Sequence, residues 1–323
     1  MTLYMAHTNV SKDSSVPQEC YGDSPQDVLL SRTVRLAARE GTHTAPTSGY
    51  APGYLQANLI VLPSKYAADF RQLCFRNPVT CPLLAESAAP GSFDRFKSYI
   101  PGVADEELFT GSIDIRTDVP KYNVYQNGKL VQRGCASIDS VWTEDSIAFL
   151  IGCSFSFEAA LTEQGLMPVH VRRRRNVPMY RTNIPLNASG VFQGSTYVVS
   201  MRSYLAKDIE RVRDITRPFL LTHGEPIDWG WDSLKRLGVV DIDTIDFGSP
   251  PLSLNTGRLG RSREVNVQDL EASSEEMPVF WGCGVTPQQA VVQAGARIEG
   301  VVMAHLPGHM LLMDVTDVQV KKP

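Results

Sequence analysis

Near the end of the chain, Phe280 to Gln288 reads FWGCGVTPQ, a thiol set between two glycines ahead of a Thr-Pro turn. Such a stretch serves either a reactive cysteine that needs access or a backbone that something must approach closely. A second thiol stands in GCSFSFE, Gly152 to Glu158, where Cys153 and Ser154 lead into a run that reads as helix. A helix start there would offer unpaired N–H groups and partial positive charge to a carboxylate, and would lower the pKa of Cys153. Gly282-Cys283-Gly284 and the Cys153-Ser154 turn are therefore both candidate donors to an oxyanion.

Guanidinium groups recur beside short polar runs. RNPVTCP holds Arg76 and Asn77 against Pro78 and Pro82, although Asn-Pro is also an ordinary turn starter. DIRTDVPKY spaces Asp114, Arg116 and Asp118 at period two, one face of a strand. Arg116 is then either pre-set by flanking acids or half of a surface ion pair. MYRTN places Arg181, Thr182 and Asn183 in a row, and VSMRS presents Arg202 in the same way. Two arginines at strand ends would clamp a carboxylate bidentately. The RRRR run, Arg172 to Arg175, reads instead as alternating faces of a strand that cover surface.

Three of the 6 histidines, His223, His305 and His309, lie in LTHGEP and AHLPGHM. His305 and His309 are four apart, but Pro307-Gly308 rules out a regular helix between them and with it the two-histidine helical zinc motif. One histidine acting as general acid or base, oriented by Asp246 or Asp314, is the plainer reading.

These residues need elements to hold them. SPQDVLLSRTVRLAAREG reads as a helix with Ser24 as N-cap, Pro25 at its first position and Gly41 as its stop. THTAPTSGYAPGYLQ reads as a long surface loop, NLIVLP as a short strand and KYAADFRQLCFRN as a helix. Strand–helix alternation of this kind predicts a layered α/β core. YNVYQNGKLVQRG carries Asn127-Gly128 between alternating runs, a hairpin signal. SIDSVWTEDSIAFLIGC and SFSFEAALTEQG both read as helices, the second capped by Ser154. PVHVRRRRNVPMYRTNI and GVFQGSTYVVSMRSY read as strands, AKDIERVRDITRPFL as an amphipathic helix, and LTHGEPIDWGWDSLKRLGV as loop and then short helix. PVFWGCGV and VVMAHLPGHMLLMDV complete the strands. The order predicts a flexible arm over 1–24, a discontinuous mixed-sheet α/β domain over 25–118 and 216–316, and a smaller inserted α+β domain over 119–215.

The whole composition is that of an ordinary globular chain, 43% hydrophobic and 20% charged over 323 residues. A net charge of −4 and a pI near 5.9 do not favour nucleic acid as partner. No apolar run approaches the ~18 residues of a membrane span, and the first residues lack a signal-peptide or transit pattern, so the cytoplasm is expected. The 6 cysteines show no CxxC spacing, which argues against a disulfide framework or structural zinc. Neither metal nor cofactor is expected.

Taken in order, QANLIVLP, LCFRNPVTCPL, DIRTDVPKY, FLIGCSFSFE, MYRTN, VSMR, HGEP, DFG, PVFWGCGVTPQ and HLPGHM resemble the YcsI-like hydro-lyase family, to which the C-terminal part of mitochondrial D-glutamate cyclase is similar. The resemblance spans about Gln26 to Asp314. It implies a mixed α/β fold with a smaller α+β domain, loss of water from a small carboxylic acid, and a lean towards a homodimer. In the best-known case the reaction forms a lactam, 5-oxo-D-proline from D-glutamate. The HGEPIDWGWDS loop departs from the family's usual HGxPVHxGDP pattern. Asp228 stands where a second histidine is usual, and Trp231-Asp232 where Asp-Pro is usual, which leaves the substrate and the acid–base group open.

The expected activity is thus that of a dehydratase or lactam-forming cyclase on an amino or hydroxy acid. Its acid–base candidates are His223, Asp228, His309 and Cys283. Its substrate-binding candidates are Asn58, Arg76, Asn77, Asp114, Arg116, Cys153, Ser154, Arg181, Thr182, Asn183 and Arg202. The alternatives are a non-catalytic small-carboxylate-binding protein and a cysteine-dependent amidohydrolase.

Overall fold

A computed structural model of the protein describes residues 27–251 and 276–321. The expected arm over 1–24 and the helix start at Ser24 and Pro25 lie outside the described residues. Helices and two antiparallel sheets build an α/β fold. Every described strand pairing is antiparallel.

The larger sheet centres on β1 (Tyr54–Pro63). It takes in β2 (Leu83–Ser87), β3 (Phe96–Ser98), β4 (Tyr122–Gln126), β5 (Lys129–Cys135) and β6 (Ser146–Gly152). β6 pairs with one edge of β1. The other edge is shared by two late strands, β11 (Val301–His305) and β12 (Leu311–Thr316). The smaller sheet runs β7 (Met179–Pro185), β8 (Thr196–Leu205), β10 (Glu276–Gly282) and β9 (Asp228–Trp229) in that spatial order. Sheet membership therefore changes near Cys153, whereas the expected inserted unit began at 119: residues 122–152 belong to the first sheet.

Both central strands are buried on both faces. Leu59 and Val61 of β1 join Ala148 and Leu150 of β6 in one core. Ile60 and Leu62 join Ile147, Phe149 and Ile151 on the opposite face. There they meet α2 (Ala67–Arg76) and α7 (Val285–Ala294) through Phe70, Leu73, Ala290 and Val291. Double burial explains why SIAFLIG is a strand and not the helix expected of it. A strand covered on both faces shows a continuous apolar run without alternation, which periodicity cannot distinguish from a buried helix.

In the smaller sheet the alternation is visible. Phe280 packs with Tyr180, Val199 and Leu237 of α6 (Ser233–Leu237). Trp281 packs on the other face with Leu161 of α3 (Glu158–Glu163) and Val212 of α5 (Ile209–Thr216). α1 (Asp27–Arg39) lies against β12, fixed by Arg35, and α8 (Asp317–Val320) follows that strand. The Asn127-Gly128 hairpin forms as expected, with φ of 49° and 78° at the two turn residues. No described helix is long and apolar enough to cross a membrane.

Two local expectations change. PVHVRRRR begins as the short helix α4 (Val169–Arg172), not a strand. Asp114–Asp118 is a turn, closed by Thr117 N–H and Asp118 N–H donating to the Asp114 carbonyl. Its three charged residues therefore share no strand face.

Candidate active site at the seam between the sheets

β6 and β10 both end in Gly-Cys and pass into a helical turn. A Cβ on Gly152 would lie 1.9 Å from the Leu221 carbonyl oxygen, and one on Gly284 would lie 1.8 Å from Asn58 Nδ2. A Cβ on Gly282 would lie 2.9 Å from the Val79 carbonyl. None of these glycines has a positive φ, so they are required by space and not by backbone conformation. Close approach, the second reading of FWGCGVTPQ, is the one realised. The thiols are bystanders in this respect. Cys153 Sγ accepts the Phe155 N–H, making Cys153, and not Ser154, the cap of the turn. Cys283 Sγ lies 3.5 Å from Met179 Sδ. Burial pushes the Cys283 thiol up to about 11 and the Cys153 thiol higher still, conditions opposed to a thiolate nucleophile.

His223 ends the 3-10 turn Leu220–Thr222 with φ 89°, a left-handed conformation that is strained for a residue with a Cβ. It is 2% exposed. Nδ1 lies 2.8 Å from the Val79 carbonyl oxygen. A carbonyl only accepts, so Nδ1 carries the proton and Nε2 keeps its lone pair. That Nε2 is buried without a hydrogen-bond partner. Burial holds the imidazole pKa down to about 4, with the Arg202 charge adding to the effect and the Val79 and Gly152 carbonyls opposing it. The ring is neutral at pH 7.

Arg202 is the other buried pole. Nε and Nη2 donate to Glu158 Oε1 at 3.1 and 2.6 Å, Nη2 also to Ser154 Oγ, and Nη1 to Ser200 Oγ. One of the five guanidinium hydrogens, on Nη1, is left over. The plane sits 5.1 Å from the Phe157 ring centre and 5.2 Å from that of Trp281. Burial works to raise the Glu158 pKa, but His170 and Arg202 outweigh it and hold the carboxyl below its ordinary value. His170 Nε2 is 2.9 Å from Glu158 Oε1, yet not in line for a hydrogen bond.

Other expected site residues are brought in only partly. Asn58 donates to the Ile151 and Gly152 carbonyls and abuts Gly284, so it ties β1 into the seam. His309 is buried below Thr47, in the loop that also receives Gly308, and its pKa is lowered by burial. His305 accepts the Leu59 N–H and meets Gln288, and burial brings it to about 4.

The expected arginine clamp is not assembled. Arg116 is bidentate to Asp114, paired to Asp139 and stacked on Phe93, 3.5 Å from the ring centre. Arg181 is half-exposed and paired with Asp246. Arg76 is exposed and donates to Ala188 O. Asn77 joins α2 to the β7–β8 connection through Leu73 O, Asn187 O and Asn187 N–H. Thr182 donates to Tyr197 O, and Asn183 is exposed against Gly238. Asp228, in β9, is bidentate to Arg236 in the last turn of α6. Among the described residues no three His, Cys, Asp or Glu side chains group as ligands of a metal would.

Sequence reasoning missed Glu158 and His170. Glu158 ends a quoted motif, but a carboxylate at helix position one resembles any exposed charge until burial is known. His170, inside an apolar PVHV run, gave no signal.

The chain matches the family model described as D-glutamate cyclase over residues 147–314. It is 43% identical to a "Putative hydro-lyase" of Schizosaccharomyces pombe, over 92% of this chain and 89% of that protein. A "Putative hydro-lyase" of Staphylococcus haemolyticus is 41% identical over 92% of this chain and 97% of its own length. One of Bordetella pertussis is 43% identical over 87% and 88%.

Proposed function

This chain belongs to the D-glutamate cyclase family of hydro-lyases, and from that premise we propose that it removes water from a small amino or hydroxy carboxylic acid at the seam holding His223 and Arg202. The reaction that fits best is internal lactam formation of the D-glutamate type. The observation that carries this reading is His223: a neutral, enclosed imidazole with a free Nε2, held in a strained backbone conformation. Strain and an unpartnered buried nitrogen each cost stability, and such costs concentrate where chemistry needs a pre-set group.

In lactam formation the amine nitrogen bonds to the side-chain carboxyl carbon and one carboxyl oxygen departs. The ammonium gives up two protons, and both leave with that oxygen as water. His223 Nε2 takes a proton from the amine and returns one to the departing oxygen. An anionic substrate in the same enclosure favours the imidazolium and so raises the His223 pKa towards the working range. The developing oxyanion calls for backbone N–H donors, and the Cys153-Ser154 turn is the candidate for them, since the Cys283 N–H already donates to the Val198 carbonyl. The substrate class comes from the family premise. Incubation of the full chain with D-glutamate, L-glutamate and hydroxy diacids, with mass spectrometry for loss of water, tests the reading. No dehydration of any of them sinks it.

A further inference from the structure

The four arginines of RRRR are not equivalent. α4 ends in a Schellman turn, with Arg175 N–H donating to His170 O and Arg174 N–H to Val171 O. Arg174 takes the left-handed position at φ 51°, which is usually glycine. This turn leaves Arg172, Arg173 and Arg174 exposed and folds Arg175 back, half-buried, over His170. Arg175 and His170 then line a half-open cleft with Asn176, Arg202 and Ser203, about 30 Å³ in volume. Among the described residues no aspartate or glutamate lines it. No described residue gives the Arg175 guanidinium a hydrogen bond or an ion pair. His170 is 7% exposed, with Nε2 2.9 Å from Glu158 Oε1. The Asn176 amide is fixed by the Pro307 carbonyl and its own Val177 N–H.

We propose that this cleft is a carboxylate-binding subsite, and that Arg175, at its mouth beside His170 and Asn176, closes on the bound carboxylate and sets preference for diacids over monoacids. The volume suits one carboxylate and not a whole diacid, so the cleft takes the non-reacting end of the substrate. The proposal rests on the dehydration reading for its substrate, but the binding it predicts does not need turnover. A guanidinium that no described residue pairs, beside a cleft with no described acid, is a site waiting for an anion, since a planar fork matches carboxylate geometry.

The test is calorimetric titration of the full chain with glutarate, a diacid without an amine, alongside KM for D-glutamate. Arg175→Gln is expected to weaken glutarate about 10- to 100-fold, the loss of hydrogen bonds to a charged group. Arg175→Lys should restore part of that loss. Arg173→Gln, on the exposed face, should leave binding at the wild-type level. The proposal is overturned if wild type does not bind glutarate, if Arg175→Gln binds as wild type does, or if Arg173→Gln weakens binding equally. Glutarate binding that depends on Arg175, without dehydration of any acid, would remove the activity and keep the subsite. Dehydration of D-glutamate with KM unmoved by Arg175→Gln would keep the activity and remove the subsite.

Discussion

Two buried arginine–carboxylate pairs sit in this molecule, and they differ in what surrounds them. Arg35 donates from both terminal nitrogens to Asp314 at 2.8 Å and to the Leu312 carbonyl. Asp314 is further held by Ser31 and by Thr110 through its N–H and hydroxyl. Only Arg35 Nε lacks a partner, and the guanidinium carbon lies 5.3 Å from the Phe109 ring centre. That pair locks α1 and the 110 loop onto β12. Arg202–Glu158 has the same charges but is joined by the His170 imidazole, 2.9 Å from Glu158 Oε1, and stands near His223, whose Nε2 has no partner. A buried ion pair is therefore not itself a sign of function. Incomplete satisfaction around it is.

Arg202→Met should break the seam most severely. It leaves Glu158 buried without its cation, at about 3–5 kcal/mol of stability, and abolishes turnover. Arg35→Met should cost a similar ~3–5 kcal/mol while the remaining folded protein keeps wild-type turnover. Denaturant melts combined with assays on folded material check both, and loss of turnover in folded Arg35→Met would erase the contrast. His223→Gln should reduce turnover about 10²–10⁴-fold. Its stability should change by only about 1–2 kcal/mol, as one hydrogen bond is lost. Equal turnover would move the acid–base role elsewhere.

The pH dependence of stability sharpens the same comparison. His223 and His305 have folded-state values of about 4, below the ~6.5 of an unfolded histidine. Between those values the unfolded chain binds protons that the folded chain refuses, so stability falls as pH drops from about 6.5 to about 4. Glu158 and Asp314, both depressed, contribute stability above the ordinary carboxylate range and lose it as pH falls further. Denaturant midpoints from pH 7.5 to 4.5 should show this slope, and His223→Gln should flatten its upper part. The smallest effects belong to groups outside both clusters. Arg181→Gln, at a half-exposed pair, should change stability by under about 1 kcal/mol and leave turnover intact. Cys153→Ser with Cys283→Ser should also retain turnover; its loss would revive a thiol mechanism.

The hairpin at Asn127-Gly128, helix α5 and strands β8, β10 and β12 were legible because turn chemistry and periodicity act locally. β6 and α4 were not. A doubly buried strand has no alternation, and four arginines in a row do not show that the chain turns left-handed at Arg174. Asn58, His223 and Arg202 drew notice as polar residues in otherwise apolar or glycine-rich settings. Arg116 and Arg181 drew the same notice and found ordinary carboxylate partners.

By itself the sequence determined the family, the α/β class, and a short roster of groups able to handle protons and carboxylates. Those follow from local chemistry and from many motifs in one order. Which arginine is buried, which imidazole lacks a partner and which of four arginines turns inward were decided only by the tertiary structure. Burial and partnership depend on segments far apart in the chain, and no local pattern encodes what a distant strand will bring alongside.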